Sequence, residues 1–132
     1  MLLGFANYTQ PDEPGVVSFE GSRVFLETEG STEAVAMAPH YRLRARIEQS
    51  IAAEGGRPLG LIVINGFRDQ PPEARPQQFE DSLRVAAESM RYCVIESTKL
   101  FEAANLALRG ETDAVKAFRQ RLLATEGVFS SE

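Results

Sequence analysis

The chain has 132 residues and a mass of 14.6 kDa, the size of one domain, which excludes a two-domain enzyme. A hydrophobic fraction of 43% and a charged fraction of 25% sit close to the globular average, so the chain can bury enough apolar surface to fold, and disorder as a whole is excluded. With 14 Lys+Arg against 19 Asp+Glu the net charge is −5, so there is no general attraction to phosphate backbones and any nucleic-acid contact has to be local. The apolar run Leu59 to Ile64, interrupted by one glycine, is far shorter than the about 20 residues a membrane span needs.

Residues 1 to 15 open with the apolar scrap Leu2-Leu3-Gly4-Phe5, which reads as the end of a helix, and continue into the turn formers Thr9 to Gly15. The scrap is too short and lacks the charged start of a signal peptide. Val16 to Glu20 and Arg23 to Glu29 have the pattern of a β-hairpin turning at Gly21-Ser22. On the second strand alternation puts Phe25, Glu27 and Glu29 on one face. A helix is expected from Tyr41 to Glu54, with Leu43, Ile47 and Ile51 as its buried stripe, Arg42 and Arg46 on another face, and Gly55-Gly56 ending it.

Leu61 to Ile64 is the run of a strand buried on both faces. A long loop, Asn65 to Gln78, follows it, in the place where α/β proteins usually carry function. A helix from Phe79 to Arg91, a short strand from Tyr92 to Glu96, a helix from Lys99 to Leu108 capped by Ser97 or Thr98, and a helix from Ala114 to Ala124 capped by Thr112 complete the order. The tail Val128 to Glu132 carries no signal. The expected fold is a layered α/β domain with a small mixed sheet, an N-terminal hairpin and then alternating helices and strands.

Several chemistries are excluded by what the chain lacks. Gly55-Gly56 and Gly60 precede a strand rather than a helix, so they do not form a phosphate-cradling loop. His40 is the single histidine and has no recognisable nucleophile turn, so it reads as structural. Cys93 is the single cysteine, in the apolar setting Tyr92-Cys93-Val94-Ile95; it forms no intramolecular disulfide, reads as an inert core residue and points to a reducing, cytoplasmic compartment.

The remaining constellation is acidic. Glu13, Glu27 and Glu29, followed by a helix carrying Arg42 and Arg46, have the layout of a hard-metal site, with oxygen ligands on strands and cations nearby for a phosphate. The competing reading, favoured on the residues alone, is a solvated edge-strand face in which Glu27 and Glu29 pair with Arg23, Arg42 or Arg46. If the acids stand bare, Glu27→Ala should stabilise the fold by relieving repulsion. Asn65, Arg68 and Arg75 either hold a phosphate or the site carboxylates, or order the loop by pairing Arg68 and Arg75 with Asp69 and Glu73; loop ordering is favoured.

The hairpin ending Leu26-Glu27-Thr28-Glu29-Gly30-Ser31, the segment Gly60 to Arg68, Pro71-Pro72-Glu73-Ala74-Arg75, and Cys93 to Phe101 occur in an order that resembles the PD-(D/E)xK nuclease-like superfamily, and more closely its uncharacterised restriction-endonuclease-like branch. The resemblance runs from about Leu2 to Arg109. It implies a restriction-endonuclease-like fold and phosphodiester hydrolysis assisted by Mg²⁺ or Mn²⁺, with Glu27 as metal ligand, Asp12 or Glu13 as the nearest acid, and Arg42 or Arg46 entering from the helix. Glu29 stands where the family has a lysine, and a carboxylate cannot do an ammonium's work, so the resemblance implies a degenerate catalytic strand unless Glu29 is a further metal ligand. It also implies a helix ahead of the hairpin, so the chain is expected to be part of a longer chain or to form a homo-oligomer that covers the open face. The expected role is a nucleic-acid-associated or interaction module without membrane contact; an active divalent-metal nuclease and a structural dimerisation domain are the alternatives.

Overall fold

A computed structural model of the chain describes residues 3, 6–7, 15–19 and 22–130. Its strands are β1 (Ala6–Asn7), β2 (Val16–Phe19), β3 (Ser22–Gly30), β4 (Leu59–Asn65), β5 (Cys93–Glu96) and β6 (Gly127–Val128). Its helices are α1 (Ala38–Glu54), α2 (Asp81–Met90), α3 (Ser97–Leu108) and α4 (Thr112–Ala124), with a 3₁₀ turn at Pro72–Ala74. The strands form one mixed sheet in the order β1-β2-β3-β4-β5-β6. β1, β2 and β3 meander antiparallel, and β3 to β6 run parallel.

Strand alternation sorts the core into two layers. Phe25, Ile62, Ile64 and Val94 face α1 and α2, where Leu43, Ile47, Leu83 and Ala87 meet them. Val24, Leu61, Cys93 and Ile95 face the opposite side and pack with Leu122 of α4, with Leu100 of α3 at the margin. The continuous run Leu61 to Ile64 is therefore buried from both sides, as its composition requires. The chain thus has the layered α/β architecture and mixed sheet that the order of its segments implies.

Several boundaries differ from expectation, each for a local reason. Ser22 pairs with Phe19, so it belongs to β3 rather than to the turn; Gly21 lies outside the described residues, as does all of the Leu2 to Phe5 scrap except Leu3. α1 begins at Ala38, before Tyr41, because Pro39 is tolerated in a first turn where its missing N–H has no intrahelical role. Ile51 is 41% exposed, and Ser50 is buried in its place. Seven residues advance a helix by nearly two whole turns, so Leu43 and Ser50 share a line that Ile51 has left.

Ser97 and Thr112 are not caps but first helical residues; Glu96 and Glu111 hold the cap positions, without a side-chain cap hydrogen bond. Phe79 precedes α2 and forms an isolated parallel bridge with Val35. Val128 lies in β6 and Phe129 is buried, edge-on to Phe118 at 5.1 Å, so the tail closes the sheet. A two-residue strand has no periodicity to read.

Arg91 ends α2 in the left-handed conformation, at φ 60°, where a residue with a Cβ is strained. Its side chain is exposed, so Arg91→Gly should raise the unfolding free energy by about 1 kcal/mol, measured by urea denaturation.

Candidate functional site

The parallel strand β3 is followed by a helix that runs back along it, and this reversal brings α1 over the acidic face. Residues 23, 25, 27 and 29 of β3 meet α1 in descending order. Arg23 binds Glu54 at 2.6 Å and donates to the Ser50 hydroxyl at 2.7 Å. Phe25 lies under two guanidiniums, with Arg46 Cζ 5.0 Å and Arg23 Cζ 5.3 Å from its ring centroid. Glu27 accepts from Arg46 Nη1 at 3.3 Å and from Arg42 Nε at 3.1 Å. Glu29 accepts from Arg42 Nη2 at 2.7 Å.

Two backbone carbonyls complete the arrangement. Arg46 Nη1 donates to Leu26 O at 2.6 Å, and Arg42 Nη2 to Thr28 O at 3.2 Å. Arg42 thus spans both carboxylates, and the hydrogen bond to Glu29 is the main cause that holds its guanidinium above the usual arginine range. The Glu27 side chain is only 15% exposed, so its charge would be costly without these partners.

In the structure both acids of β3 form ion pairs with arginines of α1. Among the described residues β2 pairs with β3 only from Ser22 to Phe25, so Glu27 and Glu29 have a strand neighbour on the β4 side alone, and Arg23 pairs with Glu54 rather than with either acid. Glu13 and Asp12 lie outside the described residues. Among the described residues no three His, Cys, Asp or Glu side chains come together in a way that could hold a metal ion. Both oxygens of Glu27 and one of Glu29 already face guanidiniums, so these two described carboxylates do not by themselves supply the several free oxygen ligands that Mg²⁺ or Mn²⁺ take.

The second group of expected residues gathers at the carboxyl ends of the strands. The connection leaving β4 leads to α2 on one side of the sheet, whereas β5 passes directly into α3 on the other, so the ends of β4 and β5 form a topological switch point, the place where open α/β sheets commonly bind ligands. Asn65, the last residue of β4, lies there: its Oδ1 accepts from Ser97 Oγ at 3.3 Å and from Arg75 Nη1 at 2.8 Å. Arg75 Nε also donates to Gln70 O at 2.9 Å, so Arg75 orders the loop, though not through Glu73 as expected. Arg68 has an exposed side chain that forms no ion pair with Asp69 or any other described acid.

The loop is held from beneath by Gln78, which is buried and accepts from Gly66 N at 3.2 Å. A Cβ on Gly66 would lie 2.3 Å from the Gln78 carbonyl oxygen, so only glycine allows the two segments to pass. The segment after β3 joins them: Ser31 N donates to Asn65 O, and Arg68 N to Ser31 O. Sequence reasoning missed Ser97 and Gln78; Gln78, a polar residue among turn formers, gives no signal of burial.

His40 and Cys93 take no part in either group. His40 Nδ1 is 2.6 Å from the Tyr92 hydroxyl, both rings being buried. Burial pushes the Cys93 thiol up to about 12, which leaves it inert at neutral pH.

With both acids paired, the sign expected for a bare acidic face reverses. Glu27→Ala takes one partner from each of Arg42 and Arg46 and should destabilise the fold by about 2 kcal/mol in urea denaturation, rather than stabilise it. No family model, curated protein or solved structure matches this chain.

Proposed function

We propose that this chain is a nuclease-related domain of restriction-endonuclease-like fold that acts by binding rather than by hydrolysis. The observation that carries the reading is Arg42, whose guanidinium lies across Glu27 and Glu29 at 3.1 and 2.7 Å, where a nuclease would need a divalent cation. Arg46 fills the remaining side of Glu27, and an arginine cannot act as a base at neutral pH. The residue order quoted for the superfamily, with Glu29 in the lysine position, supports the same degenerate reading.

A nucleic-acid phosphate is the ligand that the strand-end switch point suits best. Asn65, Arg75 and the exposed Arg68 supply donors there, beside the first turn of α3, whose cap position carries no side-chain cap hydrogen bond. The net charge of −5 makes such contact local and strongly weakened by salt. A second copy of the chain as partner belongs to the same reading, since an interaction module need not act alone.

The test is incubation with labelled single- and double-stranded oligonucleotides, with and without Mg²⁺ or Mn²⁺, followed by gel and by fluorescence anisotropy, with light scattering in parallel. The expected result is intact substrate under all conditions, binding that does not require the metal, and weaker binding for Arg68→Ala. Metal-dependent cleavage lost in Glu27→Gln would overturn the reading. Absence of binding at low salt would remove the nucleic acid and leave a protein partner.

A further inference from the structure

We propose that the His40–Tyr92 hydrogen bond is an acid-sensitive fastener of α1, the helix that carries the arginine clamp. His40 lies in the first turn of α1 and is 5% exposed; Tyr92, just before β5, is 2% exposed. Their 2.6 Å contact ties the helix to the start of β5, two strands from the β3 residues that Arg42 and Arg46 hold. The tyrosine is kept protonated by burial, which raises its hydroxyl well above the usual range. A neutral phenol can donate or accept; we assign its O–H as the donor, with His40 Nδ1 accepting as a neutral imidazole whose proton is on Nε2.

Protonation removes that acceptor and places a charge beside a core built from Leu43, Ile47, Ile62 and Leu83. The described groups around His40 offer no counter-charge in ion-pair contact. On α1, Arg44 repels it and is itself held by Glu48 at 2.9 Å, and Tyr41 meets the imidazole in a T-shaped contact at 5.3 Å. On β3, Glu27 and Glu29 are engaged by Arg42 and Arg46; on α2, Asp81 and Glu88 are engaged by Arg84. On β4 and β5 the facing side chains in this layer are Ile62, Ile64 and Val94. No described carboxylate forms an ion pair with His40.

Burial, and then Arg44, lower the His40 pKa from its ordinary 6.5. The unfolded chain therefore takes up the proton first as pH falls. The stabilisation is complete above the unfolded value and is lost as pH drops below it toward the folded value. Because Arg42 and Arg46 lie on the same helix, acid loosens their hold on Glu27 and Glu29.

The experiment follows the His40 ring by NMR through a pH titration of the whole protein, together with amide hydrogen exchange of residues 42–47 and thermal unfolding at about pH 7.5 and about pH 5.5. His40→Asn, whose amide can accept from Tyr92 and does not titrate, is the comparison. The expected result is a ring midpoint below 6.5, exchange of residues 42–47 that rises several-fold in acid beyond the intrinsic rate, and a thermal midpoint that falls with acid more steeply than in His40→Asn. If that variant does not fold, the titration and exchange of the unaltered protein decide. A midpoint at or above the ordinary value, or unchanged exchange of residues 42–47, would overturn the proposal.

Discussion

The docking of α1 on β3 depends on one charged interaction, the grip of Arg42 and Arg46 on Glu27. The helix has a narrow apolar face: Pro39, Leu43 and Ile47 are buried, but the neighbouring buried positions are the polar His40 and Ser50. The face of β3 beneath it is equally mixed, with Arg23, Phe25, Glu27 and Glu29 in line. Hydrophobic burial alone would therefore leave a half-buried carboxylate facing a helix. The guanidiniums neutralise it and bond two strand carbonyls, and that of Arg46 also lies over the Phe25 ring.

Exposure separates the strong members of this network from the weak ones. Arg44–Glu48 and Arg109–Glu111 are exposed on both sides, and solvent screening leaves such surface pairs with little to contribute. Glu27 and Arg46, at 15% and 25% exposure, are less screened, and each has a second partner.

Much of the architecture was legible because it follows from periodicity. The alternation from Val24 to Glu29 and the unbroken run from Leu61 to Ile64 specify one strand with two different faces and another buried on both, and the sheet has them side by side. Partner choice was less legible. Arg23, Arg42 and Arg46 were equivalent candidates for the acids, and only the antiparallel passage of α1 over β3 gives Arg23 to Glu54. The Asn65–Arg75 bond spans ten residues of irregular chain, so spacing could place both in the loop but not bring them together. β6 escaped because two residues carry no pattern, although Phe129 beside it completes a core layer.

The central claim is that Glu27 is held by arginine as an integral part of the fold. A double-mutant cycle on Glu27 and Arg46, using Glu27→Ala, Arg46→Ala and the pair in urea denaturation at low and high salt, measures that coupling directly. The account predicts a favourable coupling of about 1–2 kcal/mol that survives added salt in large part. Strictly additive losses, with no coupling at either salt concentration, would contradict it.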